Sequence, residues 1–373
     1  MEDNGSQILI VDSSQTGYYI EGFKLRQITD TDFISASSVT FQDGYFIVTE
    51  KDTGKIWVSG LYDATSWDSL DFATAESKPD YATRVLSSQR ELWIFGEETI
   101  EPYYNSGNAD FPFERIAGST MPIGVVAPAS VAEHRGVFYW LSNTLQVMKN
   151  TGYLHTPIST TTIDYQIASY ITVSDAIGYI FNMEGHAFYV LIFPTVNVTW
   201  VHDITTGYWF EWESYNTRES RIPWSRHRSN CHTNCWGKEF VGDYETGSIY
   251  YLSMNTYTDN GHTIRRIRSS QYTSANNHNV IYHRLALDFE TGVGLAGNGQ
   301  GSEPTVLLDW SNDGGHTWSN NYSSSIGKVG EYESRAYWTR LGMARSRVFR
   351  VTMSDPVKPV IMGAYADMEV LAV

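Results

Sequence analysis

The stretch Val201-His-Asp-Ile-Thr-Thr-Gly-Tyr-Trp-Phe-Glu-Trp212 decides the fold. A short β-prone run ends on an acidic residue, a Thr-Gly turn follows, and a strand rich in aromatics leads away. The same order recurs in IVDSSQTGYYI (10–20), VTEKDTGKIWV (48–58) and VGDYETGSIYYL (241–252). Looser copies are YYNSGNADFPF around Gly107, VMKNTGYL around Gly152 and LDFETGVG around Gly292. Glycine suits such a turn because a tight hairpin asks for positive φ. The acidic and threonine side chains can hydrogen-bond the turn amides.

The marker glycines are Gly17, Gly54, Gly107, Gly152, Gly207, Gly247 and Gly292, a mean step of about 46 residues. That is the period of a four-stranded propeller blade. Between the markers lie DGYFIV (43–48), RELWIFG (90–96), RGVFYWL (135–141) and GHAFYVLIF (185–193), which read as buried inner strands. The pattern predicts an all-β protein, a β-propeller of about six four-stranded blades over residues 1–270. A C-terminal β region follows over 271–373, either an enlarged last blade or a small β-domain such as a sandwich. The first hairpin, 10–20, has no inner strand ahead of it, so the chain is expected to open inside a blade.

Composition supports strands. Aromatic residues make up 14% of the 373 residues, with 25 Tyr, 12 Trp and 16 Phe. The formal net charge is −16, from 26 basic and 42 acidic residues. A protein whose task is to grip nucleic acid needs surplus Lys and Arg to displace counterions from phosphates, and this balance is the reverse. DNA that meets this chain is expected to be guided or retained rather than clamped. With Cys231 and Cys235 as its two cysteines, no disulfide framework is available. The N-terminus lacks the basic and apolar regions of a signal peptide, and the apolar runs are too short to span a bilayer, so assembly in a cytoplasm is expected.

No P-loop, G-x-S-x-G, H-E-x-x-H or dinucleotide fingerprint occurs, and neither a catalytic residue nor a cofactor is expected. Cys231-His232-Thr233-Asn234-Cys235, with His227 upstream, offers thiolates and imidazoles, but the spacing is loose for zinc and no second cysteine pair exists. No metal is expected there. Ser311, Asp313, Gly315 and Trp318 fit the Asp-box pattern S-x-D-x-G-x-x-W, which resembles the hairpins of sialidase-type propellers and is structural there. Arg221-Ile222-Pro223 is similar to the Arg-Ile-Pro motif of that family. Ser220 stands where an aromatic is expected, though, and the motif lies mid-chain. Arg218, Arg221, Arg226 and Arg228 form one basic patch, and Arg265, Arg266 and Arg268 another. Both are candidates to face an acidic partner or passing DNA, with solvated, internally paired loops as the alternative.

Several unusual strings come in one order: SDAIGYIFNMEGHAFYVLIFP (174–194), RHRSNC (226–231), TYTDNGHTIRRIRSS (256–270), WSNDGGHTWS (310–319), SIGKVGEYESR (325–335) and RLGMARSRVFRVTMSDPV (340–357). This series resembles the packaged-DNA stabilisation, or tail nozzle, family of short-tailed bacteriophages. The resemblance implies a virion protein made in the host cytoplasm. It implies a ring, hexameric by the family's pattern, below the portal and its head-to-tail adaptor. That ring retains packaged DNA and conducts it at ejection. Partners would be the adaptor above, a needle or plug below, tailspikes or fibres alongside, and genomic DNA in transit, with no membrane in the virion. The resemblance also implies a longer N-terminal segment, and it brings no active-site residues. The competing readings are a carbohydrate- or receptor-binding propeller on a tail fibre and a sialidase-like glycosidase.

Overall fold

The computed structural model describes residues 1–75, 80–108, 111–215, 224–276 and 278–371. They form two compact units, one of residues 1–212 with 226–251 and the other of residues 213–225 with 252–373.

The first unit contains six antiparallel sheets in chain order among the described residues. Five are four-stranded meanders: Glu2–Asp3 to Lys24–Gln27, Ala36–Gln42 to Asp63–Thr74, Ala82–Ser88 to Phe113–Arg115, Ala132–His134 to Leu154–Pro157, and Ile177–Met183 to Trp209–Glu211. The sixth runs Ser229–Cys235, Lys238–Asp243 and Ile249–Tyr251. This succession of radially repeated meanders is the propeller that the 46-residue step predicts. The chain does not open inside an incomplete blade. Glu2–Asp3 pairs with Ile8–Leu9 ahead of the hairpin and completes the first sheet.

Two local expectations need correction. The runs expected as inner strands are the second strands of their sheets: Tyr45–Glu50, Glu91–Gly96, Val137–Leu141 and His186–Phe193. They read as continuous apolar runs because neighbouring sheets cover both of their faces. Val190, Leu191, Ile192 and Phe193, for example, are fully buried. The first strands, Ala36–Gln42, Ala82–Ser88 and Ile177–Met183, are more polar, with Ser, Thr and Asn along them. The marker turns also behave in two ways. Gly107, Gly152, Gly207 and Gly247 take positive φ, but Gly17 and Gly54 do not. Gly17 is needed instead for close packing, since a Cβ there would lie 2.5 Å from the Phe33 ring.

Apolar clusters fill the space between consecutive sheets. Leu9, Phe46, Val48 and Trp67 bind the first to the second. Ile47, Ile56, Val85 and Ile94 bind the second to the third, and Phe95, Phe138 and Trp140 the third to the fourth. The cluster between the fourth and fifth also draws in Ile163 and Ile167 from the helix Thr161–Ala168.

The second unit is a β-sandwich. One sheet runs Arg266–Ser269, Ser346–Met353, Thr305–Ser311, Tyr322–Ser325. In the other, Val280–Phe289 is flanked by Ala336–Thr339 and Met343–Ala344 on one side and by Ile361–Val370 on the other. Val280, Tyr282, Leu287, Leu308, Trp338 and Phe349 are the main body of its core. Gly292, the seventh marker, belongs to this unit rather than to a blade.

Candidate functional site

In the propeller unit the polar first strands bring neighbouring sheets together. The Ser38 hydroxyl accepts from the Val85 amide at 3.1 Å, and the Thr40 hydroxyl from the Ser87 amide at 3.0 Å. The Ser87 hydroxyl donates to Gln42 Oε1 at 2.8 Å, and the Tyr179 hydroxyl donates to Ser229 Oγ at 2.6 Å. These bonds join the second sheet to the third and the fifth to the sixth. Gly178 passes so close to the 3-10 turn Pro128–Ser130 that a Cβ would lie 2.1 Å from the Ser130 carbonyl oxygen.

Residues from alternate sheets meet at the same turn. Arg84, on the third sheet, donates from Nη1 to the Pro128 carbonyl at 2.7 Å. Tyr189, on the fifth, donates to the Ser130 carbonyl at 2.8 Å. Surrounding protein desolvates Arg84 and lowers its pKa, against the opposing pull of the Tyr189 hydroxyl and of Glu2 on the first sheet. Burial pushes the Tyr189 hydroxyl far above the ordinary tyrosine value. Side chains from the third and fifth sheets thus meet at one turn, with Glu2 of the first sheet in electrostatic reach of Arg84. Sequence reading missed this convergence, because nothing local in a chain marks which positions on separate sheets will meet.

The marker acids act within their own turns. Asp203 accepts from the Thr205 amide at 2.9 Å and the Thr206 hydroxyl at 2.6 Å, and Asp243 from the Glu245 amide at 2.6 Å and the Thr246 hydroxyl at 2.8 Å. Burial raises the pKa of Asp243, but these bonds and Arg228 outweigh it, so the carboxyl titrates below its usual range.

The basic patches are not alike. Arg218 and Arg221 lie outside the described residues, as does the Arg221-Ile222-Pro223 motif. Arg226 is buried and stacks 3.7 Å over the Tyr244 ring. Arg228 is buried and pairs with Asp243 at 3.3 Å and Glu245 at 2.9 Å. In the second unit Arg265 pairs with Glu213 at 2.7 Å and Arg266 donates to the Tyr257 and Asp355 carbonyls. Arg268 is exposed, with no bonded partner among the described residues.

Cys231 and Cys235 share the strand Ser229–Cys235 four positions apart, too far along a pleat to reach one ion. His232 points to the opposite face, where Nε2 meets Glu239 at 2.7 Å, and His227 Nδ1 meets Ser229 Oγ at 2.7 Å. Among the described residues no group of three or more His, Cys, Asp or Glu could hold a metal ion. No helix among them is long and apolar enough to cross a membrane.

The Asp-box turn closes the hairpin after Thr305–Ser311 in the sandwich unit. Ser311 Oγ donates to Asp313 at 2.6 Å and accepts from the Gly315 amide at 2.8 Å. Asp313 accepts from the Thr317 amide at 2.9 Å and its hydroxyl at 2.6 Å, and Trp318 Nε1 donates to the Gly315 carbonyl at 3.0 Å. The Ser311 and Thr317 hydroxyls hold the Asp313 carboxyl far below its ordinary pKa. Beneath the turn, Arg347 is only 1% exposed. It donates to Asn312 Oδ1 at 2.9 Å and the Leu341 carbonyl at 2.7 Å, and it lies against the Tyr282 ring. These bonds fix the turn and anchor it to the sandwich core.

The residues brought together brace and stack against one another. No curated protein matches the chain significantly. Solved structures align over much of it at low identity. The chain shares 10% identity with Hsv2 of Kluyveromyces lactis, over 65% of this chain and 68% of that one, with a TM-score of 0.37. It shares 10% with BamB of Moraxella catarrhalis, over 93% and 92%, with a TM-score of 0.35. It shares 9% with a chain of a nidogen/laminin complex, over 67% and 90%, with a TM-score of 0.40. Two family models match outright: bacteriophage P22 Gp10, beta-propeller, over residues 1–257, and bacteriophage P22 Gp10, beta-sandwich, over residues 265–369. Matched along almost its whole length, the chain belongs to the bacteriophage P22 Gp10 family, structural proteins of the phage tail.

Proposed function

We propose that copies of this chain form a ring, a hexamer by the pattern of the family it resembles, below the portal and its adaptor. The ring narrows the DNA channel, retains the packaged genome and conducts it at ejection. The observation that carries this reading is the match of both family models along almost the whole chain. Arg84 and Tyr189, bonded to the one Pro128–Ser130 turn, tie the third and fifth sheets together and suit a stiff building block of a ring. The −16 charge suits a lumen that lets a polyanion slide rather than stick.

In this reading the propeller, residues 1–270, forms the body of the ring. The C-terminal region, 271–373, contacts neighbours such as the needle or plug and the tailspikes or fibres. The chain works without catalysis or cofactor, and it assembles in the host cytoplasm before joining the virion.

The test is a phage lacking this chain. Its heads are expected to package DNA and then lose it, scored by nuclease-sensitive DNA and by particle images of emptied heads. Stable, full heads made without the protein would overturn the reading.

A further inference from the structure

The two sides of the sandwich unit differ. On one side the sheets are joined: Trp338 Nε1 donates to the Tyr322 carbonyl at 2.9 Å, and the Tyr337 amide donates to Ser324 Oγ at 3.2 Å. On the other side the strands Arg266–Ser269 and Ile361–Val370 each pair along one edge only among the described residues. Between them opens a cavity of about 270 Å³. Its lining includes the core residues Phe289, Val306 and Met353, with Arg266 and Arg268 among the polar ones.

The strand Ile361–Val370 carries the second anomaly. Val370, Met368, Ala366, Ala364 and Ile361 pair with Val280, Tyr282, Leu285, Leu287 and Phe289, all of them buried core residues. Directly opposed residues in an antiparallel pair share a face, so this apolar stripe continues the core-facing side of its neighbour. Yet it is open to solvent: Ile361 is 42% exposed, Met368 43% and Val370 54%. A core-facing stripe of this length without a cover is a sheet layer that lacks a strand, beside a free backbone edge that can accept one.

Charge indicates what supplies it. In an acidic chain, the cations at this opening are Arg268, exposed and unpartnered, and Arg266, bonded to neutral carbonyls that leave its charge uncompensated. We propose that the open side of the sandwich binds an extended segment of another protein. The segment adds a strand along Ile361–Val370, seats one bulky apolar side chain in the cavity, and sets a carboxylate on Arg268. Anchor and carboxylate stand two positions apart, because alternate residues of a strand share a face. This docking site stands whether or not copies of the chain form a ring.

The test uses the full-length chain and an array of short synthetic peptides. Each carries a central Trp, Phe, Leu or Ile in a threonine-rich extended background, with Glu, Gln or Lys two positions away. Peptides with Glu are expected to bind about tenfold tighter than their Lys counterparts, and Arg268→Glu is expected to reverse that order. Met368→Asp should abolish binding, with folding checked by circular dichroism. If that variant fails to fold, Arg268→Glu, an exposed and unpaired position, decides the matter. Equal retention of Glu and Lys peptides, or no retention at all, overturns the proposal. So does self-association of the native chain that Met368→Asp removes, because the occupant would then be a second copy.

Discussion

His202 lies under the Trp209 ring, centroid to centroid at 4.7 Å, and its Nδ1 is buried without a partner. Desolvation lowers its pKa to about 4 from an ordinary 6.5, against the pull of Asp203. Between those values the unfolded chain takes up a proton that the folded chain refuses. Its contribution to stability is therefore complete above pH 6.5 and is lost as the pH falls towards 4. Unfolding by urea at pH 7 and pH 5 is expected to show this as a loss of up to about 2 kcal/mol, and His202→Phe to flatten it. Arg228 is the opposite case, a buried charge held by two carboxylates. Arg228→Ala leaves Asp243 and Glu245 without their cation, and a loss of about 3 kcal/mol is expected in the same assay. Gly178→Ala tests packing alone. Its new methyl meets the Ser130 carbonyl, and a cost of about 1–3 kcal/mol is expected from thermal melts.

At the scale of the element, the Asp-box turn is a self-contained knot of hydrogen bonds. Asp313→Ala is expected to speed exchange of the Thr317 amide about tenfold or more while the melting temperature of the unit barely moves. This turn was fully legible in the sequence, because every bond in it is local. The same is true of the marker turns, where Asp203 and Asp243 reach amides two residues on. Legibility failed where the determining contact is distant. The helix Thr161–Ala168 has threonines at its start and a weak apolar period, and it is held by Ile163 and Ile167 in a cluster shared with Tyr189 and Phe193. Arg226 and Arg228 look like a surface patch in the sequence, yet Asp243, Glu245 and Tyr244 claim them from the next strand and its turn. The open stripe of the last strand did leave a signal. Ala364, Ala366, Met368 and Val370 alternate without a polar interruption, which a reading at period two can find.

For the whole molecule, charge is the property that single residues do not reveal. With 42 acidic residues against 26 basic ones, and with Arg226 and Arg228 buried in the unit, acidic groups outnumber the cations available to a phosphate backbone. Fluorescence anisotropy of the purified chain with duplex DNA is expected to give a dissociation constant no tighter than on the order of 10⁻⁴ M at physiological salt. Nanomolar binding would show that the surface grips DNA after all. The propeller was legible at this scale because it repeats, whereas the meeting of Arg84 and Tyr189 at one turn follows only once the sheets are set beside one another.

Between the second and third sheets, the first strands meet through single hydroxyls and one carboxamide rather than through a ladder of main-chain bonds. Each such rivet can open and reseat on its own, with no strand peeled from its sheet. Under mechanical load, that seam can give elastically and recover its register, as a row of snap fasteners does where a welded joint would tear.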